Sequence, residues 1–207
     1  SRQYGNLPLL AASLCVRHAA GLAMSVDSNN LVGRFVKTEK IGEGTYGKVY
    51  KAQDRHSGEV VALKRVAMDD EGVPALVLRE ISILKQLHHK NVVSLLDVVI
   101  LDTVAQPCLY LAFEYIDMDL HQFMKVRRQS GGLGSELVRT FTRQLCEALA
   151  YCHARGVVHR DLKPENVFLH NGVAKIADLG LAEETVVGED GRSQSVGGFV
   201  GTPAFMA

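Results

Sequence analysis

With 207 residues, 47% of them hydrophobic and 22% charged, the chain has apolar material for a buried core in one domain or two small lobes. Lys+Arg and Asp+Glu balance at 23 each, so no global field draws it toward nucleic acid or an anionic membrane surface. The four cysteines (Cys15, Cys108, Cys146 and Cys152) are scattered without a C-x-x-C pair. That pattern excludes a disulfide frame or a zinc site as the organising device, and points to a reducing compartment, cytoplasmic and/or nuclear.

In chain order, the first acidic residue is Asp27, and the apolar run from Leu7 to Met24 is broken by Arg17 and His18. The break argues against a membrane span. An acid-free, Arg-bearing leader has the composition of an organelle transit peptide, but a disordered extension over residues 1–33 is the plainer expectation. From Phe35 the texture changes. Phe35 to Gly42, Lys48 to Gln53 and Glu59 to Val66 are short β-branched or alternating runs separated by glycine-bearing turns, which predicts an antiparallel meander. Pro74 stands at a helix start, followed by Val77, Leu78, Ile81, Leu84 and Leu87 at helical spacing. Val92 to Leu101 and Cys108 to Ile116 read as two further strands. After Asp119 the period turns helical, most clearly from Ser135 to His153, and Glu183 to Gly198 has the Gly, Ser and acid content of a mobile loop. Strands, one helix, strands and then mostly helix describe an α+β chain in two lobes, about 34–116 and about 117–207.

Gly42-Glu43-Gly44-Thr45-Tyr46-Gly47 is a G-x-G-x-x-G motif, which alone is shared with dinucleotide-binding folds and with plain turns. A dinucleotide site needs a helix next, whereas Lys48-Val49-Tyr50-Lys51-Ala52 alternates like a strand. The glycines therefore read as a strand–turn–strand flap whose backbone N–H groups can approach phosphate. Val61-Ala62-Leu63-Lys64 places a lysine on the third strand, by default a solvated edge residue. Glu80 projects from the apolar stripe of its helix, and a carboxylate aimed at a core is costly unless paired. Lys64 is its obvious partner, and a lysine so held can grip phosphate; a solvent-facing Glu80 is the alternative.

His159-Arg160-Asp161-Leu162-Lys163-Pro164-Glu165-Asn166 carries the densest chemistry, and Asp178-Leu179-Gly180 comes after the apolar Ala174, Ile176 and Ala177. The amide of Asn166 and the carboxylate of Asp178 are hard oxygen donors suited to Mg2+ alongside phosphate. Asp161 is then free to accept a hydroxyl proton and Lys163 to offset charge on a transferring phosphoryl group.

This order of motifs, ending in Gly201-Thr202-Pro203, resembles the eukaryotic protein kinases from about Leu31 to Ala207. The resemblance implies a bilobal kinase fold, with an antiparallel five-stranded N-lobe carrying one helix and an incomplete helical C-lobe. Lys163 within H-R-D-L-K-P-E-N is similar to the serine/threonine kinases. By the same likeness Asp161 is the catalytic base, Lys64, Glu80 and Lys163 assist it, and Asn166 and Asp178 hold Mg2+. ATP is met by residues 42–48 (Gly42, Glu43, Gly44, Thr45, Tyr46, Gly47 and Lys48), by Lys64, and by an adenine slot of Ile41, Val49, Ala62, Phe113 and Phe168. The backbone of Glu114 and Ile116 bonds the base edge. Each apolar member of the slot serves equally well as plain core.

The N-terminal half resembles cyclin-dependent kinases through residues 42–50 (GEGTYGKVY), 71–87 (EGVPALVLREISILKQL) and 113–124 (FEYIDMDLHQFM). That likeness implies a cyclin-like partner on the Pro74–Glu80 helix and inhibitory phosphorylation at Thr45 and Tyr46. Departures are also plain. Leu179 stands where the family has Phe, and Gly201 to Ala207 is nearer to other serine/threonine groups. No hydroxyl lies three residues before Gly201-Thr202, so Ser193 and Ser195 are the nearest regulatory candidates, with Thr202 beside them. Nothing follows Ala207, which reads as a catalytic domain cut short. A catalytically idle module that binds a cyclin-like or other protein is the alternative to a working kinase.

Overall fold

The computed structural model describes residues 17–18, 31–44, 47–68, 72–101, 107–184, 186–187, 193–194 and 201–205. The predicted meander is present as β3 (Phe35–Gly44), β4 (Gly47–Asp54) and β5 (Val60–Ala67). After α1 (Ala75–Gln86) come β6 (Leu95–Leu101) and β7 (Cys108–Glu114), which complete the antiparallel part of the sheet.

Among the described residues the sheet holds seven strands where five were expected, because two short ones lie in the stretch read as a disordered extension. β1 (Arg17–His18) adds in parallel to the β6 edge at Val99 and Ile100, and β2 (Leu31–Val32) pairs with Phe35 and Val36. Val32 and Phe35 are both fully buried in one cluster, so the turn between them belongs to the core. Gly33 makes that turn at φ 58°, and the Arg34 Nε–Asp54 Oδ2 pair at 2.9 Å pins it to the end of β4.

Strand parity decides where Lys64 points. Val61 and Leu63 pack with Val32, Phe35 and Tyr110 on one face of β5, whereas Val66 packs with Val77 and Ile81 of α1 on the other. Lys64 shares the Val66 face and therefore looks toward α1.

The C-lobe portion contains α2 (Leu120–Arg128) and α3 (Ser135–His153), the latter over the predicted span. It continues through β8 (Val157–Val158), β9 (Val167–His170) and β10 (Val173–Ile176). The described residues of the segment expected as a loop form three two-residue strands. β11 (Glu183–Glu184) pairs with β8, and β12 (Val186–Val187) pairs with β13 (Ser193–Gln194). α1 rests on this lobe through one cluster in which Ile83, Leu84 and Leu87 meet Ala148 and Cys152 of α3 together with Leu179.

The front of the predicted strand Val92 to Leu101 has another role: Val92 bridges Ile176 in parallel, and Val93 N–H donates to the Ile176 carbonyl at 2.8 Å. Fully buried Asn91 adds Nδ2 to the Ala174 carbonyl at 2.8 Å. The link between α1 and β6 is thus stitched to β10.

Candidate active site

A cleft of about 610 Å3 opens between the sheet and the C-lobe portion. Ile41, Gly42, Gly47, Val49, Ala62 and Lys64 line it from the sheet, and Phe113, Glu114 and Ile116 line it where the chain crosses between lobes. Asp161, Lys163, Phe168 and Asp178 face it from below. Glu43 and Lys48 are cross-strand partners beside Gly44 and Gly47 and do not line the cleft, and Glu43 pairs with Lys40. Thr45, Tyr46 and Ser195 lie outside the described residues, and Ser193 is in β13.

Gly47 is fixed by close approach. Its φ is +131°, and a Cβ there would lie 1.9 Å from the Arg65 carbonyl oxygen. No other residue lets β4 begin so near β5.

Glu80 is 5% exposed and accepts from Lys64 Nζ at 2.9 and 3.3 Å, which removes the solvent-facing alternative. Lys64 Nζ is also 3.8 Å from Asp178 Oδ1. The lysine is therefore held at the cleft wall with a carboxylate behind it, as a fixed positive charge for an anion.

Asp161 lies on the opposite side. Asn166 Nδ2 donates to its Oδ2 at 3.0 Å and to its backbone carbonyl at 2.8 Å. Lys163 Nζ reaches Oδ2 at 2.8 Å, and the Thr202 hydroxyl donates to Oδ1 at 2.5 Å while accepting from Lys163 Nζ at 3.0 Å. Burial alone raises the carboxyl, but the bonds from Lys163, Thr202 and Asn166 outweigh it and hold Asp161 below the usual carboxylate range. The same bond to Asp161 raises Lys163.

Behind them, buried His159 accepts from Asp161 N–H at Nδ1 (3.2 Å), so Nε2 carries the proton toward the Ala177 carbonyl at 2.9 Å. Arg160 and Asp178 adopt left-handed φ of 64° and 59°, a conformation that costs energy outside glycine and gathers at functional sites.

The donor set fits a magnesium ion held jointly with phosphate. Among the described residues no group of three His, Cys, Asp or Glu side chains gathers to hold a metal. The Asp178 carboxylate, 43% exposed, is nevertheless available in the cleft, and Asn166, holding Asp161 through Nδ2, keeps its amide oxygen for a cation. Two protein oxygens completed by phosphate and water are the usual complement for this ion.

Residue reasoning missed Asp119, which lines the cleft and caps α2 by accepting from Gln122 N–H at 2.8 Å. An Asp followed three residues later by Gln is a helix-start signature that could have found it. Thr202, a regulatory candidate by sequence, has its hydroxyl in contact with Asp161 and Lys163. Glu165, next to Asn166, faces outward to His121 Nδ1 at 3.2 Å.

Among known proteins, the profile of the protein kinase domain matches residues 35–207. The chain is also 49% identical over 164 residues to the cell division control protein 2 homolog C of Antirrhinum majus, a match covering 74% of this chain and 54% of that protein. The chain thus spans about half the length of this curated relative. On these matches, and on a cleft in which the Gly-rich hairpin, the Lys64–Glu80 pair and Asp161 converge, the chain belongs to the eukaryotic protein kinase family and is of the cyclin-dependent-kinase-like kind.

Proposed function

We propose that the chain carries the catalytic core of a protein serine/threonine kinase that uses ATP and Mg2+ and acts on protein hydroxyls. The carrying observation is the meeting of Asp161, Lys163 and Thr202 opposite the Lys64–Glu80 pair in one cleft. When bound, ATP with magnesium supplies the phosphoryl group and neutralises much of its charge.

The chain's own residues supply position and electrostatics. Ile41, Val49, Ala62 and Phe168 give the adenine ring an apolar slot, with the Glu114 and Ile116 backbone at its edge. Lys64, steadied by Glu80, fixes phosphate as a point charge. Asn166 and Asp178 would present oxygen to the metal.

A carboxylate has about four acceptor sites, and Thr202, Asn166 and Lys163 use three of those on Asp161. The remaining site on Oδ1 accepts the substrate hydroxyl, orients its oxygen toward the phosphoryl group and takes its proton. Lys163 offsets the charge that develops on the transferring group. The serine/threonine preference rests on the likeness at Lys163.

Regulation extends the reading. Ala75, Leu78 and Arg79 form an outward face on α1, and we assign it to a cyclin-like partner. Thr45, Tyr46, Ser193 and Ser195 remain candidate phosphorylation positions.

The test is phosphate transfer from labelled ATP to peptides that differ only in Ser, Thr or Tyr. Asp161→Asn should lower turnover by at least about 100-fold while binding of an ATP analogue persists. Full turnover in that variant would overturn the assignment, and transfer to Tyr alone would overturn the specificity.

A further inference from the structure

Outside the catalytic cluster, one part-buried ion pair joins the two lobes beside the cleft. Lys175 of β10 places Nζ 2.8 Å from both carboxylate oxygens of Glu114, the last residue of β7. The side chains are 14% and 25% exposed, so solvent screens the pair less than it would a surface bridge. Glu114 is held further. Its Oε1 accepts from Ser94 N–H at 2.8 Å, and its own N–H donates to the Ser94 carbonyl at 3.2 Å. The ring of the next residue, Tyr115, lies under Lys51 of β4 at 4.9 Å. On the other side, Ile176 N–H donates to the Asn91 carbonyl at 2.8 Å and Ala177 N–H donates to the Asn166 carbonyl at 2.9 Å.

We infer that Lys175 is a positioning residue for nucleotide, acting through Glu114 to tie the backbone that faces the adenine edge to the strand that runs into Asp178. The inference rests on the kinase reading. Nothing in that reading uses the Glu114 side chain, since the base edge meets backbone. A bidentate ion pair at this point makes β7 and β10 move together, so the adenine slot keeps a fixed distance from the metal-facing carboxylate. Loss of one partner leaves the other charge part-buried and unpaired, and the crossing segment is free to shift. Because the pair holds the nucleotide in the ground state and the transition state alike, its loss belongs in KM and leaves kcat nearly unchanged.

The experiment measures binding of a non-hydrolysable ATP analogue with Mg2+, together with KM and kcat, on the full chain. Lys175→Met and Glu114→Gln should each weaken analogue binding and raise the KM for ATP about five- to tenfold, with kcat altered less than about twofold. Lys175→Arg should restore most of the affinity, and the double variant should lose little more than either single one. Glu114→Gln keeps the backbone and an acceptor for Ser94, so it carries the test if Lys175→Met does not fold. Wild-type affinity in both variants with only a lower melting temperature would overturn the inference, leaving the pair a structural tether. A rise in kcat at unchanged KM would overturn it too, since the pair would then restrain the lobes. A wild-type chain that binds no analogue would overturn the kinase reading and this inference with it.

Discussion

The pKa of Asp161 decides what kind of base it is. Burial pushes the carboxyl up, and the bonds from Lys163, Thr202 and Asn166 together pull it below its ordinary value. It is therefore ionised throughout the neutral range and is a weak base whose main work is orientation. Thr202 and Asn166 are the neutral members, and Thr202 is the one outside the proposed magnesium pair. Thr202→Val deletes the bond to Oδ1 and the one from Lys163 Nζ, so the Asp161 pKa should rise toward the ordinary carboxylate range. The acid limb of the kcat/KM profile should move to higher pH, and kcat should fall roughly tenfold, the order of one lost charge-assisted bond. An acid limb that stays in place while kcat falls would assign Thr202 to substrate contact instead. The residue scale also shows what sequence can and cannot carry. Glu80 was legible because a carboxylate on an apolar stripe demands a partner. The Thr202 contact spans 41 positions, and no local pattern reports it.

Among the elements, α1 divides its faces cleanly. Val77, Glu80, Ile81 and Leu84 are buried, whereas Leu78 is 42% exposed beside exposed Ala75 and Arg79. An outward leucine contributes little to the fold of this chain, so Leu78→Glu should change stability by no more than about 0.5 kcal/mol. If the outward face receives a cyclin-like partner, the same substitution should abolish capture of purified cyclins by the full chain. Undiminished capture would remove the partner from this helix. Elements with a strong period were read correctly: α3 keeps its predicted bounds because an amphipathic stripe long enough for several turns leaves few other solutions. β1 and β2 were missed because each has only two residues, too few to show alternation. Burial of Val32 against Phe35 is a tertiary fact that periodicity does not record.

At the scale of the molecule, the lobes are joined by the α1–α3 cluster, the Asn91–Val93 stitch and the Lys175–Glu114 pair, while within the C-lobe portion His159 ties the Asp161 segment to Ala177. The bilobal plan was legible from the order of strands and helices; the joints were not, because they pair residues far apart in sequence. The His159 contact has a pH dependence with a definite sign. Burial lowers the imidazole pKa and outweighs the Ala177 carbonyl bond and the charges of Asp178 and Asp161, which raise it. Protonation would also set a second N–H at Nδ1 against the Asp161 N–H. Above the unfolded value, about 6.5, both states hold His159 neutral and it contributes nothing to pH dependence. As pH falls through that value the unfolded chain takes up a proton that the fold refuses, so stability falls, until the folded value is reached. One such group gives a slope of at most about 1.4 kcal/mol per pH unit. His89, lowered by burial and by Lys90, adds to the slope in the same direction. Urea unfolding of the full chain from about pH 7.5 to 5.5, a range that brackets the unfolded value, should therefore show stability declining toward acid. His159→Asn should lower stability at every pH and flatten the decline, with the His89 share remaining. A parallel curve, lower but with the wild-type slope, would show that the fold takes up the His159 proton as the unfolded chain does and that the contact to Ala177 does not depend on the neutral imidazole.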